Sequence, residues 1–556
     1  MFKSKIISCL DKAMPASSFD SYKSIDKLTV LRGEKASFQI LIFGELMSPA
    51  SYSRTISLSF SGGLSEFIQL REVQPVPAIN CAKGNPDADF LTTVPSLIPD
   101  VLAPLGYENK VFSVPGCLRT VWVDINVPAE GPLPEELTLT VKLSHVPRDP
   151  KEASKEEEHT VSLEVIDATL PESALTFSMW FHHDCLADYY GVPMWSDKHF
   201  EIIERFVKCA TDNGINTLLT PVLTPPLDNM YDNRYFQLVD ITCRGDEYEF
   251  GFEKLGKWVD ICNKYPVRYF EIGHLFTQGG AKYATKVMGM KDGKLCRLFS
   301  VDTPCDAPEY TKFLRALLKA FISYMKERGE DKRMLFHISD EPNDADLETY
   351  LKAKESVADL LDGYTLMDAL SHYEFYERGV VKKPIVILHH LAEFIEHDVE
   401  GLWTYNCTAP DSGYSNRFLA MSLSRNRSIS LLLYKFNIEG FLHWGFNFYN
   451  NCGSGAHINP FLDTSSGGGF PSGDAFSVYP GAGGEPLESM RLVTFKQGLD
   501  DLAAFRLCES LYSREEVISA LESFLGEEIK TTTYINDSER MTALRNMINE
   551  MIKAKL

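Results

Sequence analysis

No stretch of this sequence approaches the roughly 18 consecutive apolar residues that a membrane-spanning helix requires. Near the amino terminus the apolar run Ile6 to Leu10 is interrupted by Ser8 and closed by Asp11, short of the about 7–15 unbroken residues of a secretory core. The 12 cysteines are scattered and never form a C-x-x-C pair, so neither zinc-ribbon spacing nor a disulfide framework is indicated. No His-x-His occurs. His182-His183 and His389-His390 are adjacent strand residues, which point to opposite faces and do not readily share one ion. The glycine-rich stretch from Gly453 to Gly484 lacks the G-x-x-x-x-G-K-[ST] order that cradles phosphate. Positive charge is also short: Lys+Arg 55 against Asp+Glu 77 leaves a formal net charge of −22. That balance disfavours nucleic acid or an anionic membrane surface as partner. The expectation is a reduced, cytoplasmic protein with no metal and no other cofactor, its oligomeric state unreadable.

What is present is organised in three parts. At 556 residues the chain should hold two or three domains. Up to about residue 172 it reads as short β-rich runs separated by proline-containing turns, among them Phe38 to Phe43, Ile56 to Phe60, Leu137 to Val141 and Val161 to Val165. The charged run Lys151 to Glu158 reads as a solvated hairpin loop. From 173 to 505 strands alternate with helices. Eight strands are expected: 175–182, 216–222, 267–276, 334–340, 365–369, 385–389, 402–407 and 440–446. Helices fall between them, one capped by Ser196, one starting at an Asp306 to Glu309 capping box, one over 345–361 and one over 418–436. A helical segment, 506–556, closes the chain, with a capping box at Ser513 to Glu516. The fold class is therefore a multidomain combination of α/β and all-β: an N-terminal β-sandwich (1–172), a central (β/α)8 barrel (173–505) and a short C-terminal helical segment (506–556).

A barrel keeps its active site at the carboxyl ends of its strands. The fourth strand ends in Leu335-Phe336-His337-Ile338-Ser339-Asp340-Glu341-Pro342, an apolar run that stops on two carboxylates. The plain alternative is that Asp340 caps the next helix while Glu341 faces solvent. As chemistry, two carboxyl groups that cleave a glycoside must flank the bond, about 5–5.5 Å apart for retention or 6.5–9.5 Å for inversion. Sequence neighbours can hardly straddle a sugar in that way. They suit a substrate that brings its own nucleophile, a 2-acetamido group, with one carboxylate orienting the amide N–H and the other protonating the leaving oxygen. Intramolecular attack of this kind reaches effective molarities of about 10⁵–10⁸ M. A two-carboxylate retaining enzyme would need a nucleophile on the seventh strand, Leu402 to Cys407, which carries none; Asp411 follows in the loop and Glu439 lies at the wrong end of the eighth. A carbohydrate-binding barrel without activity is the non-enzymatic alternative.

The Ser339-Asp340-Glu341-Pro342 strand end, the Trp403-Thr404-Tyr405 strand and the Gly440 to Gly445 strand resemble glycoside hydrolase family 123. So do, in the same order, Tyr479-Pro480-Gly481, Ser489-Met490-Arg491 and Gly498-Leu499-Asp500-Asp501. The resemblance covers about 173–510. It implies a retaining β-N-acetylgalactosaminidase acting by substrate assistance on an oligosaccharide or glycoconjugate fragment. Carried over, it makes Asp340 the residue that orients the acetamido group and Glu341 the general acid/base. Flat rings at strand ends stack on pyranose faces, which makes Trp180, Trp403, Tyr405 and Trp444 candidates for substrate binding, with His183, His337, Asn406 and Asn447 beside them. Tyr405 is also placed to donate its hydroxyl to the acetamido carbonyl. The loops Gln278 to Pro304 and Gly453 to Gly484 are expected to rim the mouth.

Overall fold

The short alternating runs of the first third do become strands, because period-two alternation buries one face and wets the other. The computed structural model describes residues 2–45, 53–82, 84, 86–147, 153–228 and 235–556. The chain divides into two compact units. The first comprises Met1–Ala174, Ser415–Lys435 and Leu487–Leu556, the second Leu175–Tyr414 and Phe436–Pro486. The boundaries expected at 172/173 and 505/506 differ from this division, since the C-terminal helices and one mid-barrel crossover group with the N-terminal strands.

In the first unit two five-stranded sheets form. One runs in the order Phe2–Ser8, Lys35–Gly44, Leu118–Asn126, Ile68–Ala78, Ser96–Pro104. The other runs Lys27–Arg32, Lys155–Thr169, Thr138–His145, Arg54–Ser61, Lys110–Ser113. Phe38, Ile40 and Ile42 of the first sheet and Leu139, Val141 and Leu143 of the second belong to one apolar core. Each such side chain, fully buried, stabilises the fold by about 1.5–3 kcal/mol. The charged run expected as a loop is partly strand: Lys155 to Glu158 pair with His145 to Lys142, Glu156 and Glu158 facing solvent. Lys151 and Glu152 lie outside the described residues. A strand tolerates this charge because every second residue points to water.

The same unit holds helix Met490–Leu511, started by Ser489, whose hydroxyl accepts from Leu492 N at 3.0 Å. Gly498 lies against the neighbouring helix Leu423–Arg427, where a Cβ would stand 2.7 Å from the Arg427 carbonyl oxygen. Arg427 and Arg545 both reach the buried Asp501, at 2.7 and 3.0 Å, and Arg545 also pairs with Glu34 at 2.7 Å. This network explains why residues 415–435 and the C-terminal helices belong with the sheets.

The second unit is an eight-stranded, closed, all-parallel barrel: Thr176–Met179, Thr217–Thr220, Tyr269–Ile272, Met334–Phe336, Thr365–Leu370, Lys383–Ile387, Trp403–Tyr405 and Gly440–His443. These are the eight strands read from the sequence, most of them shorter. Every crossover contains a helix. Two carry a hairpin as well, Asp240–Arg244 with Glu247–Gly251 and Val287–Lys291 with Lys294–Phe299. The second hairpin turns at Asp292-Gly293, both at positive φ (52° and 74°), as an Asp-Gly pair favours. Helix starts differ in detail. Ser196 caps Asp197–Asp212 as expected. The helix expected to start at Asp306 instead has Ala307 as its cap, because Pro308 fits the first helical position. The long helices expected over 345–361 and 418–436 are each broken in two, at Ser356-Val357 and at Ser428.

The barrel interior is filled by Trp180, Leu219, Leu335, Met367, Ile385, Trp403, Tyr405 and Leu442, among others. Trp403 and Gly440 are register partners on adjacent strands, and a Cβ on Gly440 would fall 2.0 Å from the indole. Glycine here is a packing requirement. Gly440→Ala should therefore lower the melting temperature, by an overpacking penalty of about 1–3 kcal/mol. Gly440→Ala combined with Trp403→Leu should cost less than the sum of the two, measured by thermal unfolding, because the smaller side chain returns the space.

Candidate active site

Residues at the carboxyl ends of the barrel strands line a cavity of about 220 Å³. It is smaller than the ~300–1,000 Å³ of most small-molecule sites, so the part of a ligand it encloses is small. Its walls include Trp180, Gln278, His337, Asp340, Glu341, Tyr405, Trp444 and Phe470.

The fourth strand stops at Phe336, four residues earlier than its sequence suggests. The chain continues extended beside the segment after the third strand, with Leu275 N on the His337 carbonyl (3.2 Å), Phe276 N on Ile338 (3.0 Å) and Gly279 N on Asp340 (2.9 Å). Glu341 then takes a left-handed conformation, φ 43°. Consecutive residues of a regular strand face opposite sides. The left-handed turn breaks that alternation, and both carboxylates line the same cavity. A non-glycine residue held this way costs on the order of 1–3 kcal/mol. Ser339 steadies the turn, donating its hydroxyl to the Thr277 carbonyl (2.7 Å) and accepting from Ala281 N (3.0 Å).

Each carboxylate has its own donor. The Gln278 amide donates to Asp340 Oδ2 at 2.6 Å. The Tyr405 hydroxyl donates to Glu341 Oε1. Burial, and then the charge of Glu341, hold the phenol well above its ordinary pKa, so it stays a donor. Burial and the like charge of Glu341 push Asp340 up to about 7, against the opposing effects of Gln278 and His337. Two adjacent carboxylates thus retain one proton near neutrality, and that proton belongs to the pair.

Beneath them His337 is enclosed between two more carboxylates. Its Nε2 lies 3.0 Å from Glu271 and its Nδ1 3.3 Å from Asp368. Burial opposes charge on this ring, but the two partners outweigh it and hold the pKa near 10, so it is an imidazolium. Glu271 also accepts the Trp180 indole N–H at 2.7 Å and the Ser178 hydroxyl. Asp368 accepts from Tyr350 and from Ser339 N. On the far wall Trp444 donates to Asp474 at 3.1 Å and stands edge-on to Phe470, with ring centroids 4.9 Å apart.

Residues 180–508 match the family model for the glycoside hydrolase 123 catalytic domain. The chain belongs to glycoside hydrolase family 123. It is similar to the structure of a family 123 glycoside hydrolase from Clostridium perfringens, described in work on glycolipid glycan hydrolysis, at 15% identity and TM-score 0.74. That match covers 100% of this chain and 98% of the other, and a likeness at that identity shows the fold. A maltogenic α-amylase from Thermotoga neapolitana is matched over 60% of this chain and 76% of its own, at 13% identity and TM-score 0.32, which carries no argument. No curated protein matches the chain.

The family 123 chain is therefore a glycoside hydrolase, and the structure sorts the expected site residues. Asp340, Glu341, Trp180, His337, Tyr405 and Trp444 come together around the cavity. Four others do not line it. His183 is buried among Phe181, Trp195 and Trp258. Trp403 fills the barrel floor beside Gly440. Asn447 grips the backbone of His182 through both amide atoms, at 2.8 and 2.9 Å. Asn406 is buried beside Tyr405 in sequence but off the cavity wall. Short strands explain His183, Asn406 and Asn447, since once a strand ends period two no longer tells which way a side chain points; Trp403 instead opens its strand, Trp403–Tyr405, and so lies at the barrel floor and not at its mouth. Tyr405 donates to Glu341 from the cavity wall. The loops after 278 and 453 do reach the cavity, through Gln278 and Phe470.

Glu271 and Asp368 were not anticipated, yet each leaves a sequence signal. Each is a lone carboxylate inside an apolar strand, Phe270-Glu271-Ile272 and Met367-Asp368-Ala369, and such residues are almost never buried unless paired. Gln278 and Phe470 lie in loops and leave no such mark.

The raised Asp340 pKa has a consequence for stability that needs no substrate. A carboxyl group whose folded pKa lies above its unfolded value, about 3.9, weakens the fold increasingly as pH rises through that window, here to about 7. Asp340→Asn lacks this penalty. Its melting temperature relative to the wild type should climb between about pH 4 and pH 7 and then level, as thermal unfolding across that range would show.

Proposed function

We propose that this enzyme removes a terminal β-linked N-acetylgalactosamine from an oligosaccharide or glycoconjugate with retention, using the substrate's own 2-acetamido oxygen as nucleophile. One observation supports this above others: among the described residues Asp340 and Glu341 are the only carboxylates lining the cavity, and they are consecutive. Asp411 is not on the cavity wall, and Glu439 is engaged with Lys383 at 2.7 Å. Among the described residues no second carboxylate lines the cavity opposite the pair to form a glycosyl ester. Membership in family 123 and the resemblance drawn from the Ser-Asp-Glu-Pro strand end support the choice of sugar.

In this reading the acetamido N–H bonds to Asp340. A donor there favours the ionised form and moves the proton of the pair to Glu341, where the leaving oxygen needs it. As the acetamido oxygen closes on the anomeric carbon, the Asp340 carboxylate offsets charge on the forming oxazolinium ring, and Glu341 protonates the departing oxygen. Glu341, now ionised and bonded by Tyr405, then takes a proton from the incoming water. His337 sits below as a fixed positive charge that keeps Asp340 from becoming too basic. Trp180 and Trp444 offer flat faces to the sugar ring.

Two outcomes test the roles. Glu341→Gln should lose about 10²–10⁴-fold in kcat on aryl glycosides with poor leaving groups, and far less on a dinitrophenyl glycoside, which departs without protonation. Equal losses on both would remove Glu341 from the acid role.

The nucleophile is tested by a thiazoline mimic of the cyclised intermediate, which should inhibit competitively and bind more tightly than substrate. Asp340→Asn should weaken that binding and catalysis together. A dinitrophenyl β-galactoside without the acetamido group should be almost inert. Its efficient cleavage would return the mechanism to an enzymic carboxylate.

A further inference from the structure

His182, Asp184 and Asp228 come from the segment just after the first barrel strand, the helix that follows it and the loop after the second strand. One ligand-type atom from each lies within 4.8 Å of the other two, and all three residues are buried. None of them lines the catalytic cavity. We propose that these three residues bind one divalent cation of the zinc class, which fixes a wall of the substrate cavity.

The argument starts from the His182 ring. Its Nε2 lies 3.0 Å from the Trp444 carbonyl oxygen. A carbonyl only accepts, so Nε2 carries the hydrogen. In a neutral imidazole the lone pair is then on Nδ1. Nδ1 is buried and has no hydrogen-bond partner. It is the atom that completes the group with the two carboxylates. Brought together away from water, an imidazole nitrogen and two carboxyl groups make a ligand set that a cation would hold by attraction. The ring is also braced as metal-binding histidines usually are, its other N–H on a main-chain carbonyl. Asn447 locks the His182 backbone on both sides. Asp184 receives the Asn450 amide at 3.3 Å, leaving it oriented. Lys286 braces the Asp228 loop, donating to the main-chain carbonyl of Asp228 at 2.9 Å.

The donor set selects the ion. One imidazole nitrogen and two carboxylates suit zinc, whereas calcium takes about 6–8 oxygens and magnesium keeps most of its water. At bonds of about 2.0–2.2 Å the ion would draw the three atoms together. Cysteine and His-x-His patterns do not reveal this group, because its members are separated by up to 46 positions, from His182 to Asp228. Its consequence for catalysis rests on the proposed reading of the cavity. Leu227, next to Asp228, and Trp444, held through His182, are both cavity walls. Loss of the ion should therefore raise KM and spare kcat, since neither member of the carboxylate pair is a ligand.

The test uses the full chain, loaded with zinc chloride, desalted and analysed by inductively coupled plasma mass spectrometry. Wild type should retain about one zinc per chain, and Asp228→Asn and Asp184→Asn below about a tenth of that, as expected when one ligand of three is lost. Chelation should lower the wild-type melting temperature and leave both variants unmoved. A wild type that retains no zinc and melts identically with and without chelator would overturn the proposal. So would variants that hold as much zinc as the wild type. Metal content and melting need no substrate, so their outcome is independent of the sugar and of the mechanism above.

Discussion

Two carboxylates on consecutive residues cannot share a cavity on a regular strand, and most of the mouth of this barrel is arranged around that constraint. The left-handed Glu341 turns the second carboxylate to the side of the first. Pro342 follows at once and prevents the chain from resuming the ladder. Ser339 and the backbone of 275–281 hold the turn from below with main-chain and hydroxyl hydrogen bonds. Conformational strain at Glu341 and electrostatic repulsion within the pair are both tolerated because the neighbouring elements fix the geometry from several sides.

The electrostatics follow from the same constraint. Two adjacent negative charges in a partly dry site are unfavourable, and the structure answers in layers. Gln278 and Tyr405 each donate to one carboxylate. Deeper in the barrel lies a charged imidazole, His337, which would itself be costly to bury were it not flanked by Glu271 and Asp368. Those two carboxylates in turn gather Trp180, Ser178 and Tyr350. Trp180 of the cavity wall and the Ser339 backbone beside the acid pair are thus tied to one polar cluster.

The motifs behind the family resemblance divide by role. The strand-end carboxylates, Tyr405 and Trp444 stand at the cavity. Others serve the scaffold. Gly440 makes room for Trp403, Gly498 lets two helices meet, Asp501 joins two arginines, and Arg491 pairs with the buried Asp100 at 2.9 Å. A family signature of this kind records packing as much as chemistry, and membership alone does not say which residues touch a sugar.

The sequence by itself determined the eight barrel strands, the β-rich first third, the location of the acid pair and the family, because these rest on local period and on consecutive residues. It also carried signals not taken up, in Glu271 and Asp368, lone charges within apolar strands. Only the tertiary structure decided which strand-end side chains face the cavity, with Trp403, His183, Asn406 and Asn447 elsewhere and Gln278 and Phe470 brought in from loops. It alone grouped residues 415–435 and the C-terminal helices with the N-terminal sheets. The reason is the same in each case. Side-chain direction beyond a strand's last hydrogen bond, and pairing between residues hundreds of positions apart such as Glu34 and Arg545, depend on long-range packing that no local pattern encodes.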